Sequence, residues 1–167
     1  GESLSGLEIL NDDYFYVAGG TSSDLNGNSL IGTSDGFLSK YQSDGTRLWT
    51  KTVGTPLSSI SRGTFATSDS QGGLAISSEG FIYVHGNTIS QVSNFENGYI
   101  NIPNLFYGQS HKGGGDVFVA QYDSEGTRNW EILLGSTGGD YARKIITTSD
   151  GSIYITGDAG NSSDNYW

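Results

Sequence analysis

The chain has 167 residues, a mass of 17.7 kDa, a net charge of −10 and an isoelectric point of about 4.3. The acid excess excludes nucleic acid as a partner class, because phosphate binding needs a basic face. The absence of cysteine excludes disulfides, thiolate metal sites and cysteine nucleophiles, and no apolar run approaches the ~20 residues that a membrane span needs.

The composition favours β structure. Hydrophobic residues make up 34% of the chain, and aromatic residues alone make up 12%. Aromatic side chains suit pleated sheets, and 26 glycines suit many tight turns. No long segment shows the three-to-four-residue spacing of an amphipathic helix.

The first predicted element is a hairpin in "GLEILNDDYFYVAG", residues Gly6–Gly19. Two alternating apolar runs flank the acidic pair Asp12-Asp13, which predicts a two-residue turn. The same pattern recurs in residues Gly73–Gly86, with its turn at Glu79-Gly80, and in residues Lys144–Gly157, with its turn at Asp150-Gly151.

The loop after the first hairpin is the best candidate for a metal site. In "DLNGNSLIGTSD" the acid and amide residues fall at positions 1, 3, 5 and 12, which approximates the oxygen-rich spacing that wraps calcium. The expected ligands are Asp24, Asn26, Asn28, the Leu30 carbonyl and Asp35. Position 6 is Ser29 rather than glycine, and a polar loop closed by Asx turns explains the same residues.

The second element is a hairpin in "DGFLSKYQSDGTRLW", which begins at Asp35 and turns at Asp44-Gly45. Its copy, "DVFVAQYDSEGTRNW", begins at Asp116 and turns at Glu125-Gly126. Aromatic residues repeated in register are expected to fill the layers between repeat units rather than to bind a ligand. They are Phe37, Tyr41, Trp49, Phe118, Tyr122 and Trp130.

The order of these hairpins predicts four antiparallel strands per unit, the content of a β-propeller blade. The predicted divisions are residues 1–34 (closing hairpin of a first blade and a loop), 35–115 (second blade with long insertions), 116–157 (third blade) and 158–167 (start of a following loop or blade). The units exceed the ~40–50 residues usual for blade repeats, and the long stretches 54–72 and 87–115 account for the excess.

The third unit resembles the bacterial SBBP repeat, named for the seven-bladed β-propeller. Three motifs carry the resemblance: D-x-F-V-x-x-Y-x-x-x-G-x-x-x-W, L-G-x-x-G-x-D, and I-x-x-x-x-D-G-x-I-Y-V-T-G. The matching residues are Asp116, Phe118, Val119, Tyr122, Gly126, Trp130, Leu134, Gly135, Gly138, Asp140, Ile145, Asp150, Gly151, Ile153, Tyr154, Ile155, Thr156 and Gly157. The resemblance implies a secreted or cell-surface bacterial protein and no shared catalytic residues.

About two and a half blades would leave open faces, since a blade buries its faces only against its neighbours. We expect a longer chain, an assembly of several chains, or an arc held by partners. The residues show no catalytic set, so the expected function is a non-catalytic structural or interaction module, stabilised by calcium if the loop binds it.

Two alternatives stay open. Tyr99, Phe106, Tyr107, Tyr166 and Trp167 are candidates to stack on sugars in a glycan-binding propeller, or to seal the long loop against its blade. The other alternative is a hydrolase with its active site on the long loops.

Overall fold

The computed structural model describes residues 1–31, 35–53, 73–88, 105–106, 108–110, 112 and 115–160. Within those ranges the chain forms twelve β-strands and no helix. The sheets are antiparallel, so the prediction of an all-β fold is confirmed.

Sheet one is a four-stranded meander of neighbouring strands. It contains β1 (Glu2–Asn11), β2 (Tyr14–Thr21), β3 (Asp35–Gln42) and β4 (Arg47–Val53). The pairing of β2 with β3 is continuous over their full length, from Thr21 opposite Asp35 to Tyr14 opposite Gln42.

Sheet two repeats this arrangement with an insertion. Its order is β5 (Leu74–Ile76), β6 (Ile82–Thr88), β9 (Asp116–Tyr122) and β10 (Arg128–Leu134). The insertion between β6 and β9 holds a small hairpin, β7 (Leu105–Phe106) and β8 (Gln109–Ser110). The predicted long loop 54–72 lies outside the described residues, as does most of 87–115.

Sheet three consists of β11 (Tyr141–Thr147) and β12 (Ile153–Asp158). Just before β11, the Asp140 N–H donates a hydrogen bond to the carbonyl of Gly115, the residue before β9 of sheet two, at 2.8 Å.

The sheets group the hairpins differently from the predicted divisions. A second unit over residues 35–115 would place β3–β4 in one sheet with β5–β6, but β3 pairs with β2, and β6 pairs with β9. The predicted boundaries at 34 and 115 therefore fall inside hydrogen-bonded sheets. A repeated sequence gives the length of the repeating unit but not its frame, that is, which two successive hairpins share a sheet. Each hairpin has a neighbouring hairpin before it and another after it, and either could be its partner.

The turns predicted to have two residues at Glu79-Gly80 and Asp150-Gly151 have three instead, as do the turns at Asp44-Gly45 and Glu125-Gly126. At Asp44-Gly45 the Gln42 N–H donates to the Thr46 carbonyl, and the Gly45 N–H donates to the Gln42 carbonyl. This is a three-residue loop with glycine in the left-handed region (φ +87°). The turns at Gly80, Gly126 and Gly151 repeat it. Asp12-Asp13 is the two-residue turn that was predicted, closed by the Asn11 side chain.

Each sheet has two faces, because side chains alternate along a strand. We call one the leading face; in sheet one it carries Leu7, Ile9, Phe15, Val17, Phe37 and Tyr41. The other is the trailing face; in sheet one it carries Tyr16, Ala18, Leu38, Lys40 and Trp49. The sheets stack so that a trailing face meets the next leading face, and the core lies in these layers.

Candidate interaction faces

The trailing face of sheet one packs against the leading face of sheet two. The fully or nearly buried members of this layer are Tyr16, Ala18, Leu38, Val53, Leu74, Ile82, Val84, Phe118, Ala120 and Tyr122. Trp49 is partly buried against them. Apolar burial of this extent is the main source of stability in a small β protein, so the two sheets form one structural body.

A second layer joins sheet two to sheet three. It buries Ala75, Tyr83, Val117 and Val119 of sheet two against Ala142 and Ile145 of sheet three, with Trp130 and Ile155 partly buried beside them. The predicted role of the aromatic residues therefore holds for Trp49, Phe118, Tyr122 and Trp130, which lie between sheets.

The leading face of sheet one carries the same kinds of residue, but among the described residues none covers Leu7 and Ile9 of β1 as the inner layers cover their equivalents. Leu7 and Ile9 occupy the repeat positions of Leu74 and Ile76. Leu74 is 1% exposed between the sheets, whereas Leu7 is 59% and Ile9 is 66% exposed. Tyr41 lies on this same face and stacks on Phe15, with ring centroids 5.1 Å apart.

The opposite end of the stack has an exposed apolar surface as well. Tyr141, Ile146 and Tyr154 of sheet three are exposed, and Ile146 pairs directly with Tyr154 on the trailing face. Tyr154 occupies the repeat position of Tyr16 and Tyr83, both of which are buried. Both end faces therefore carry residues that the inner layers bury.

Polar contacts fix the layer between sheets one and two. The β9–β10 turn presents the Ser124 carbonyl to sheet one, where it accepts from the Lys40 ammonium at 3.0 Å and from the Trp49 indole N–H at 3.3 Å. Lys40 is buried, and its Nζ lies 4.6 Å from the ring centre of Tyr14. A buried ammonium needs such partners, because desolvation is costly.

A tyrosine–tryptophan pair recurs in the two sheets. Tyr16 and Trp49 have ring centroids 6.0 Å apart at 57°, and Tyr83 and Trp130 have the same separation at 53°. Their hydroxyls differ: the Gln121 amide donates to Tyr83 Oη at 2.8 Å, whereas Tyr16 Oη has no hydrogen-bond partner among the described residues. Burial first, and then the nearby Glu125 charge, raise the pKa of Tyr16 to about 12.

The loop predicted to bind calcium is closed by its own hydrogen bonds. Asn26 and Gly27 have φ values of +55° and +83°, and two backbone bonds between Leu25 and Asn28 make a tight hairpin. The Asp24 carboxylate accepts the Leu30 N–H at 2.9 Å, and the Asn28 amide donates to the Leu25 carbonyl. Calcium binding by this loop stays a prediction.

Asp35, the last expected ligand, belongs to a contact that the sequence analysis missed. Asp35 accepts the backbone N–H of Ile31, Asp116 accepts that of Lys112, and Asp140 accepts that of Ser136. Each carboxylate is buried and holds the N–H four residues before it. The signal was visible as an aspartate directly before or at the start of β3, β9 and β11, and it indicates a structural role in closing loops.

Within the described ranges, no group of three or more acidic or histidine side chains lies close enough together to hold a metal ion. Of the candidate glycan-binding aromatics, Tyr99, Tyr107, Tyr166 and Trp167 lie outside the described residues, as does the side chain of Phe106.

The part of the chain that the structure describes contains no helix long and apolar enough to cross a bilayer. No family model matches the sequence. Among curated proteins the chain is similar to the regulatory protein FlaEY of Caulobacter vibrioides, with 29% identity over 135 residues. The aligned stretch is 80% of this chain and 12% of that protein, so the chain spans a small part of the relative's length.

Proposed function

We propose that the chain is a non-catalytic structural and interaction module, which binds further β-sheets of its own kind through its two end faces. The observation that carries this proposal is the contrast between Leu7 and Leu74. They share a repeat position, and one is exposed while the other is buried under the preceding sheet. Exposed apolar patches of this kind mark interaction sites.

The two end faces are of opposite type, which favours a head-to-tail arrangement. A trailing face meets a leading face in both inner layers, and the ends of the stack offer one of each. Repetition of that contact produces either a closed ring or an open array. The ring is the β-propeller of the SBBP type proposed from the sequence.

Analytical ultracentrifugation of the 167-residue chain tests this proposal. We expect concentration-dependent association of the wild type, and a shift to monomer for Leu7→Glu, because a carboxylate on the leading face opposes burial. Phe81→Glu is the control, since Phe81 is exposed in the β5–β6 turn of sheet two, which contributes neither end face. A wild type that stays monomeric up to about 1 mM and melts at the same temperature as Leu7→Glu would contradict the proposal.

The proposal extends to calcium stabilisation and to a place outside the cell or on its surface. The oxygen-rich spacing of Asp24, Asn26 and Asn28 supports the first, and the chain's resemblance to SBBP repeats supports the second. Millimolar calcium should raise the melting temperature of the wild type but not of Asp24→Ala, because ligand binding to the folded state alone stabilises it. An unchanged melting temperature for the wild type would remove calcium from the proposal.

A further inference from the structure

A cleft of about 510 Å³ opens where the first strands of the three sheets meet. Its walls come from residues 5–8 of β1, 74–76 of β5 and 144–147 of β11. The volume lies within the range of small-ligand pockets. All of these lining residues belong to one chain, and two of them, Leu7 and Ile146, also lie on the end faces.

Each of the three strands is the edge of its sheet. An edge strand leaves one row of backbone N–H and C=O groups unused by its own sheet. Two of these groups are engaged between sheets: the Ser5 carbonyl accepts the Gly73 N–H, and the Ile76 carbonyl accepts the Thr147 hydroxyl at 2.8 Å. The cleft therefore lies along three strand edges, which suits an extended peptide.

Two charged residues in the cleft break the repeat. Lys144 stands at the position of Gly6 and Gly73, and Glu8 stands at the position of Ala75 and Ile146. At the other copies these positions hold small or apolar residues, so packing of the repeat does not call for a charge at either one. Both charges line the same cleft.

The two charges do not neutralise each other by direct contact. Lys144 and Glu8 interact electrostatically, yet no ion pair within 4.0 Å joins them in the described structure. Burial raises the pKa of Glu8, and the charge of Lys144 opposes that rise only in part. Both residues are exposed, so a ligand cation can reach the Glu8 carboxylate and form a charge-assisted hydrogen bond with it.

We propose that this cleft binds a short peptide with free termini. The peptide ammonium would lie against Glu8 and its carboxylate against Lys144, while its backbone pairs with the exposed strand edges. Leu7 and Ile146, which line the same cleft and are exposed, offer apolar surface to small side chains. Separated opposite charges select a zwitterion of the matching length over a singly charged ligand.

Titration of the ¹⁵N-labelled chain with tri-alanine, followed by amide chemical shifts, tests the proposal. We expect shifts in β1, β5 and β11 at millimolar peptide. Acetylation of the peptide amino end should weaken binding roughly tenfold, because it removes a charge-assisted hydrogen bond. Glu8→Gln should weaken binding of the free peptide to the same degree and leave binding of the acetylated peptide unchanged. Lys144→Gln should likewise weaken binding of the free peptide, and it should leave unchanged the binding of a tri-alanine whose carboxyl end is blocked as an amide.

Glu79→Gln is the matched control, since Glu79 is exposed in the β5–β6 turn, away from the cleft. Thermal melting of each variant establishes that it is folded. The absence of shifts up to about 10 mM peptide would overturn the proposal. So would equal weakening of free and blocked peptides by Glu8→Gln, because the carboxylate would then have no specific role at the amino end.

Discussion

At the scale of single residues, the two buried tyrosines of the repeated aromatic pair make opposite contributions. Tyr83 Oη accepts a hydrogen bond from Gln121, and Tyr16 Oη has no partner among the described residues. A buried hydroxyl without a partner carries a desolvation penalty, whereas a satisfied one contributes a modest net gain. The repeat position is shared, but Lys40 replaces Gln121 in sheet one and contacts Ser124 instead.

We therefore expect Tyr16→Phe to leave the free energy of unfolding unchanged or to raise it by up to about 1 kcal/mol. Tyr83→Phe should lower it by about 1 kcal/mol, since it removes a partner of Gln121. Urea unfolding followed by tryptophan fluorescence measures both. If Tyr16→Phe proves the more destabilising variant, Tyr16 Oη must have a partner.

Only part of the chemistry of single residues could be predicted from the sequence. The spacing of Asp35 from Asp24 predicted a metal ligand, but Asp35 makes the same loop-closing contact as Asp116 and Asp140. The sequence alone does not distinguish an aspartate that accepts a hydrogen bond from a backbone N–H from one that binds a metal ion. The charges of Glu8 and Lys144 escaped notice because only the stacking of three sheets brings them to one cleft.

At the scale of elements, the hairpin turns predict a dependence on pH. The Thr148 hydroxyl and then the Ser152 N–H bond to Asp150, and they lower its pKa from 3.8 to about 2. Hydrogen bonds also lower the pKa values of Asp44 and Asp123. A carboxyl with a depressed folded-state pKa contributes stability above pH 4 that is lost as the pH falls towards 2.

Asp150→Asn should therefore flatten the fall in melting temperature between pH 4 and pH 2, relative to the wild type. Asp12→Asn is the control, because the side chain of Asn11 closes that turn. Melting curves recorded by circular dichroism at half-unit intervals of pH measure the effect. Parallel pH profiles for Asp150→Asn and the wild type would argue against a role for the Asp150 carboxylate in holding the turn.

Two turns at equivalent positions of the repeat allow the cost of backbone strain to be distinguished from the cost of crowding between sheets. Gly45 and Gly126 have φ values of +87° and +78°, so alanine at either site is strained by about 1 kcal/mol. Among the described residues, a Cβ at Gly45 would meet no atom within 4 Å, whereas one at Gly126 would lie 2.9 Å from Lys51 Cε and 3.2 Å from the Trp49 ring. The β9–β10 turn touches the neighbouring sheet, and the β3–β4 turn is open.

We expect Gly126→Ala to cost at least about 1 kcal/mol more than Gly45→Ala, because overpacking adds to the strain. Chemical denaturation of the two variants gives the comparison. Equal losses would mean that the Trp49 side chain moves aside freely, and that the turn adds little to the layer between sheets one and two.

At the scale of the whole molecule, the sequence predicted the period of the repeat but not its frame. The hairpins at 6–19 and 73–86 could be recognised from their similar sequences, and their strands pair as expected. Which hairpins share a sheet depends on pairing across loops, such as Thr21 with Asp35, and residue patterns within a hairpin carry no information about it. The open faces followed from the repeat count, and the structure identifies the exposed residues at each end.

The same repeat supplies a test of what the end faces do. Leu74→Ala should lower the free energy of unfolding by about 2–5 kcal/mol, as expected for a leucine buried in a core. Leu7→Ala, at the equivalent exposed position, should change it by no more than about 0.5 kcal/mol in dilute solution.

If the leading face of sheet one binds another sheet, the cost of Leu7→Ala must grow with protein concentration, because association stabilises the folded state by mass action. Calorimetric melting of both variants over a hundredfold range of concentration measures that growth. A cost for Leu7→Ala that stays small over the whole range would show that the face remains open, and the exposed leucine would then be an ordinary surface residue.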